Sequence, residues 1–208
     1  MVLRFLGESV TDSNGLAVLP DGYTGTGAGL VDIVAKTTID ESTVVSNTYE
    51  VLDATFYDSG TSSSTATWTN WSTYEPLLVR NTEYCSIKLD TANSKTLARM
   101  YRQFDISSND ICIEFDIKHQ TNNNGEQFAT LRNNSANNRG NMDLNRFGGQ
   151  LNTWHHIKIL INTTNVRVYL DNSTNPYTYN ATDVTRFYWD IDTDTSEVDF
   201  KNFVIYPV

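Results

Sequence analysis

Apolar residues recur at every second position through much of the chain. Ile157, Ile159 and Ile161 alternate with polar residues, Asn162-Thr163-Thr164-Asn165 interrupts them, and Val166, Val168 and Leu170 alternate again. A period of two broken by a polar turn predicts an antiparallel hairpin with one buried face. Ile113, Phe115 and Ile117 predict a second half-buried strand, with Cys112, Glu114, Asp116 and Lys118 on its opposite face. Gln127 to Arg132 is strand-like between two Asn-rich tracts, 122–125 and 133–141, which read as the long tips of a hairpin. Val198 to Tyr206 closes the pattern as a last strand. No stretch of a dozen residues keeps a 3.6-residue period with caps, so little helix is expected.

The run from Asn152-Thr153-Trp154-His155-His156 through Ile161, its turn, and Val166-Arg167-Val168-Tyr169-Leu170-Asp171 resembles the recurring hairpin of concanavalin A-like lectin/glucanase (LamG-like) sandwiches. The resemblance implies an all-β chain, an antiparallel jelly-roll β-sandwich over residues 53–208, with Trp154 as a packing residue of the hairpin. Phe56-Tyr57-Asp58-Ser59-Gly60-Thr61, followed by tryptophan-bearing Trp68 and Trp71, is similar to the start of such sandwiches in archaeal adhesin-like surface proteins and in viral or phage tail receptor-binding proteins. Residues 1–52 form a short β-rich appendage. Within it Thr11-Asp12-Ser13-Asn14-Gly15, Tyr23-Thr24-Gly25-Thr26-Gly27 and Val31-Asp32-Ile33 resemble the later strands of a bacterial immunoglobulin-like repeat, alongside the plainer reading of a Gly-rich leader.

The chain has 208 residues, enough for one large sandwich with a real core, and a formal charge of −10. Phosphate recognition needs clustered Lys and Arg, so neither nucleic acid nor an anionic membrane is an expected partner. Met1 to Val10 carries Arg4 and Glu8 and has too few apolar residues for a signal peptide or a span, so no membrane insertion is expected. Sequons at Asn70, Asn133, Asn162, Asn172 and Asn180 are about what a chain so rich in Ser, Thr and Asn yields by chance. Cys85 and Cys112 lie in separate strand-like runs; they pair only if those strands are neighbours, and buried free thiols are the plainer alternative.

Glu114 and Asp116 share one strand face about 7 Å apart, as a pair of glycosidase carboxylates would. Laminarinase-type enzymes of this fold carry a further Glu on that strand, and Lys118 and His119 stand in its place here. Hydrolysis is therefore not expected. The pair reads instead as a polar floor for sugar hydroxyls on the concave face, or as a solvated face with a carboxylate paired to Lys118. Asp190, Asp192 and Asp194 alternate like oxygen ligands of calcium, but Thr195 replaces the glycine of an EF-hand loop and Lys201 its closing Glu. Alternating Asp also serves as solubilising charge on a strand edge, so calcium is one possible cofactor and otherwise none is implied. His119, His155 and His156 have no metal-ligand spacing, and no nucleophile elbow, Walker loop or CxxC motif is present.

Pyranose rings stack on aromatic faces while planar polar groups fix their hydroxyls. Trp68, Trp71, Tyr101, Arg132, Arg146, Trp154 and Trp189 are of the required types, although a sandwich core consumes most of its Trp. The expected ligand contacts are Glu114 and Asp116 on the sheet together with Arg132, Asn138, Arg139, Asp143, Asn145 and Arg146 on the Asn-rich tip. These residues point to a non-catalytic recognition module that binds a glycan or cell-surface polymer, outside the cell, on a cell surface or a virion tail. It would be a homo-oligomer if it belongs to a tail fibre. A structural or protein-binding spacer of an adhesin stalk and a degenerate glycoside hydrolase are the alternatives.

Overall fold

A computed structural model of the chain describes residues 29–36, 43–51, 55–71, 75–90, 92, 96–106, 110–120, 127–192 and 197–208. Backbone contacts divide it into two units, Met1–Asp53 and Ala54–Val208. In the first, β1 (Gly29–Lys36) and β2 (Thr43–Val51) form an antiparallel hairpin running from Gly29 opposite Val51 to Lys36 opposite Thr43. The Gly-rich signals before residue 29 lie outside the described residues.

The second unit contains β3 (Phe56–Asp58), β4 (Thr69–Asn70), β5 (Leu77–Arg80), β6 (Cys85–Lys88), β7 (Leu97–Gln103), β8 (Ile111–His119), β9 (Gln127–Arg132) and β10 (Asn138–Asp143), followed by β11 (His155–Ile161), β12 (Val166–Leu170), β13 (Tyr177–Tyr179), β14 (Arg186–Asp192) and β15 (Glu197–Pro207). They form two antiparallel sheets. The smaller is ordered β10-β9-β14-β7-β4; the larger is β13-β12-β11-β8-β15-β6-β5, with β3 also paired to β15. The two sheets make a jelly-roll β-sandwich. Its longest helical piece among the described residues is the 3-10 turn Asn145–Phe147, and no helix there is long and apolar enough to cross a membrane.

Period-two alternation places the core. Ile113, Phe115 and Ile117 of β8, with Ile157, Ile159 and Ile161 of β11, are fully buried, as are Phe187, Trp189 and Ile191 of β14 in the other sheet. Phe115 meets Phe187 at 5.5 Å and Trp189 at 5.3 Å edge-on, and Trp189 stacks on Phe200 at 5.1 Å. Each such side chain contributes about 2–3 kcal/mol by leaving water. The hairpin β11–β12 has the register the sequence pattern implies, Ile157 opposite Leu170 and Ile161 opposite Val166. Its turn is set by Asn162, whose Oδ1 accepts from the backbone N–H of Thr164 and Asn165.

One end of the sandwich is pinned by Asp58, which is fully buried. Its carboxylate receives both guanidinium nitrogens of Arg80 at 2.8 Å, the Trp68 indole N–H at 2.8 Å, the Ser64 hydroxyl at 2.8 Å and the Gly60 N–H at 2.9 Å. Burial alone would raise its pKa, but these hydrogen bonds outweigh burial and hold it below the usual carboxylate range. Gly60 has φ +78°, and an added Cβ would lie 2.5 Å from the Phe200 carbonyl oxygen, so the turn needs glycine. Trp68 is thereby part of the packed interior, 4.8 Å from Phe203, rather than a surface platform.

One sequence expectation is corrected and one open alternative is decided. The tract 133–141 is not one long tip: residues 133–137 turn the chain, and Asn138 begins edge strand β10, whose Gly140 and Met142 face inward. Inward Gly and Met give a strand face that a composition rich in Asn conceals. Cys85 and Cys112 are both free and cannot pair, because β15 runs between β6 and β8. Cys85 lies on the core side opposite Phe200, whereas Cys112 lies on the outer side opposite Tyr206. Burial pushes each thiol up to about 12.

Candidate functional site

The proposed ligand residues divide between the two outward faces of the sandwich. Glu114 and Asp116 stand on the outer face of the larger sheet, between β11 and β15. Register sets Asp116 beside His156 and Lys201, and Glu114 beside Lys158 and Val204. The His156 ring spans both carboxylates, with Nδ1 3.0 Å from Asp116 and Nε2 3.5 Å from Glu114. Glu114 also receives the Lys158 ammonium at 2.9 Å and the Tyr206 hydroxyl at 2.6 Å, and Asp116 accepts from the Asn202 amide at 2.9 Å. Asn202 reaches Asp116 from a break in the β15 register, where its own φ is +54°.

This is a closed charge network. Hydrogen bonding to Asp116 and Glu114 raises His156 to about 9, so it is an imidazolium at neutral pH. The same ring, with Tyr206 and Lys158, holds Glu114 well below the usual carboxylate range, and with Asn202 it lowers Asp116 as well. A general acid needs a raised carboxyl pKa, and both shifts run the other way. The expected partner, Lys118, lies one pair further along and is bound to the fully buried Asp199 at 2.9 Å, together with Ser86 at 2.6 Å and Gln120. Lys118 and Lys201 also lie over the Trp154 ring, at 5.3 and 4.6 Å, and Tyr84 meets that ring edge-on at 5.6 Å. Trp154, expected as a hairpin packing residue, is therefore half-buried on the outer face, because it stands just before β11.

Arg132 is on the opposite side of the sandwich. Three rows of side chains cross the outer face of the smaller sheet. Gln103, Arg186, Arg132 and Asn138 are successive partners in one row; Thr69, Tyr101, Tyr188, Thr130 and Asn141 form the next; Arg99 and Asp190 begin a third. Tyr101 stacks on Tyr188 at 4.9 Å, and Trp71 meets Tyr188 edge-on at 5.3 Å. Arg132 lies over Tyr188 at 5.2 Å and Arg186 over Tyr101 at 5.2 Å. Beneath them Asp190, 3% exposed, accepts from Arg99 at 2.7 Å, Arg132 at 3.2 Å and the Thr130 hydroxyl at 3.2 Å. Burial raises the Tyr188 hydroxyl, with Arg186 pulling in the other direction.

Both oxygens of Asp190, expected as a calcium ligand, are thus engaged by guanidinium groups. Asp192 follows it on the same strand, and Asp194 lies outside the described residues. Among the described residues no three His, Cys, Asp or Glu side chains gather as metal ligands. Of the other histidines, His119 is buried, and His155 bonds Asp171 at 2.6 Å.

The remaining tip residues disperse. Arg139 pairs with Asp183 at 2.5 Å, and Asn133 donates to the same carboxylate at 2.8 Å. Asn138 is exposed and donates to Asn141. Asp143 accepts from the backbone of Arg146 at 3.3 Å, Asn145 is exposed, and Arg146 lies 5.8 Å over Tyr177 of β13. Sequence proximity brings these residues to one hairpin but not to one surface. Sequence reasoning passed over Arg186 and Tyr188, although the alternation Arg186, Tyr188, Asp190 marks one strand face; His156 meets Glu114 and Asp116 only through register, which no local pattern reveals.

No family model and no curated protein sequence matches the chain. Solved structures do match in fold. A Trypanosoma rangeli sialidase superposes with TM-score 0.50 at 12% identity over 73% of this chain and 30% of its own. A carbohydrate-binding module from Bacillus subtilis gives 0.45 at 16% identity over 67% and 94%, and an alginate lyase of polysaccharide lyase family 7 gives 0.44 at 11% over 84% and 93%. The chain spans only 17% of another sialidase that it matches. At these identities the likeness is one of fold, an antiparallel β-sandwich.

Proposed function

We propose that the sandwich is a non-catalytic recognition module that binds a saccharide polymer across the outer face of its smaller sheet. The observation that carries this reading is the set of consecutive cross-strand rows in which half-buried Tyr101, with half-buried Trp71 against the neighbouring Tyr188, adjoins planar donors and acceptors, Arg186, Gln103 and Asn138. Rings offer faces to pyranoses, and amide and guanidinium groups offer directed hydrogen bonds to hydroxyls. A rigid sheet holds them in fixed register, which limits the ordering cost of binding. Glu114 and Asp116 are the weaker candidates, since their acceptor oxygens are already occupied by His156, Lys158, Tyr206 and Asn202. The location that goes with this reading is outside the cell, on a surface or a virion tail.

A polysaccharide array followed by affinity electrophoresis tests it. Tyr101→Ala should lower affinity for the retained polymer about tenfold, in keeping with about 1–1.5 kcal/mol for an aromatic contact, while Lys158→Ala on the far face leaves it unchanged. Failure of every polysaccharide to bind the parent protein would return the chain to the alternative of a protein-binding or structural spacer.

A further inference from the structure

We infer that the saccharide is acidic, and that Arg186 is the residue that selects its carboxylate or sulfate groups. The inference rests on the reading of the smaller-sheet face as a saccharide site. Arg186 of β14 and Arg132 of β9 are direct cross-strand partners. Like charges opposite one another in a sheet oppose pairing, so this arrangement needs a neutralising group. Arg132 has one: its guanidinium donates to Asp190, Thr130 and the Ala136 carbonyl, so its donors are directed inward. Arg99 spends its charge on the other oxygen of the same carboxylate, 2.7 Å away.

Arg186 has no such partner. Its side chain is half-buried over Tyr101, its Nε donates to the Gln103 amide oxygen at 3.4 Å, and it forms no ion pair among the described residues. A chain with ten more acidic than basic residues thus presents an uncompensated guanidinium beside the aromatic row of this sheet, although carboxylates are abundant elsewhere. The guanidinium is flat, permanently charged and able to donate two parallel hydrogen bonds, which match the oxygens of a uronate carboxylate or a sulfate ester better than the separate hydroxyls of a neutral hexose. Held over Tyr101, it sets the anion beside a ring on which the same sugar unit can lie. The charge-free neighbours Gln103 and Asn138 then take hydroxyls.

The test uses matched polymers differing only in charge: polygalacturonate against its methyl ester, and dextran sulfate against dextran, each titrated with the whole chain at 50 and 300 mM salt. The expected result is binding to one or both charged polymers, at least tenfold weaker for the neutral counterpart and weakened by salt. The first pair reports a carboxylate source and the second a sulfate source. Arg186→Gln should lose about tenfold in affinity for the charged polymer, and Arg186→Lys should retain part of it with its salt dependence. Because Arg186→Gln also removes the cross-strand repulsion, its thermal midpoint should equal or exceed that of the parent. Equal binding of the charged and neutral members of both pairs would overturn the acidic assignment while leaving saccharide recognition intact. Salt-sensitive binding that Arg186→Gln does not change would overturn the role of Arg186. Absence of binding to all four polymers, with retention of another neutral glycan, overturns the assignment alone; absence of binding to any glycan overturns both readings.

Discussion

The outward faces of the two sheets use similar residue types in opposite ways. On the larger sheet, the acids Glu114 and Asp116 are a quarter exposed or less and are surrounded by cations and donors, so both carboxylates have cationic partners within the sheet. On the smaller sheet one buried acid, Asp190, serves two arginines and a third arginine is left over. A strand pair with alternating charged residues therefore does not by itself mark a binding face. What separates the two clusters is whether their own charges balance, and register decides that.

The contrast is sharpest at the central acids. Asp190→Ala would leave Arg99 and Arg132 without their shared carboxylate in a largely buried setting, and should cost about 3–4 kcal/mol in chemical denaturation. Glu114→Ala, with a partner at the surface and His156 still paired to Asp116, should cost about 1–2 kcal/mol. Equal losses would mean that the two networks are energetically alike and would erase the distinction.

A smaller effect appears with pH. His156 is raised from its ordinary 6.5 to about 9 in the folded chain, so its contribution is complete below pH 6.5 and fades as pH rises through 9. With the ring about one third exposed, screening reduces this to about 1 kcal/mol. Urea midpoints measured from pH 6 to 10 should fall across that window in the parent, and the His156→Gln variant should lack that component of the decline. The smallest expected effect concerns the thiols: Cys85 and Cys112, both buried and pushed up to about 12, should remain unmodified by a thiol reagent at pH 8 until the chain unfolds.

Much of the sandwich was legible before its structure because period two requires only local information. The hairpin of Ile157–Ile161 and Val166–Leu170, and the inward set Ile113, Phe115 and Ile117, follow from alternation that burial then enforces. The candidate site was less legible because it depends on pairing between distant strands. Glu114 and Asp116 share a face as alternation implies, but the partners that neutralise them, His156, Lys158 and Tyr206, come from β11 and β15. Arg132 follows the carboxylates closely in sequence but belongs to the other sheet. Strand β10 was obscured by its asparagines, since an edge strand with few apolar residues resembles a loop in composition.

The position of β15 governs the order in which the sandwich can be completed. It lies between β8 and β6 in the middle of the larger sheet and also carries β3, whose Thr55 end bonds Ile205 across 150 residues of chain. During synthesis β3, β5 and β6 therefore emerge long before the strand that joins them to the rest of their sheet, and their edges stay open until residues 197–207 have left the ribosome. Such long-range closure slows folding and prolongs the exposure of unpaired strands. Loss of that one strand would be expected to separate the larger sheet into three pieces, β13-β12-β11-β8, β6-β5 and β3, a consequence out of proportion to its eleven residues.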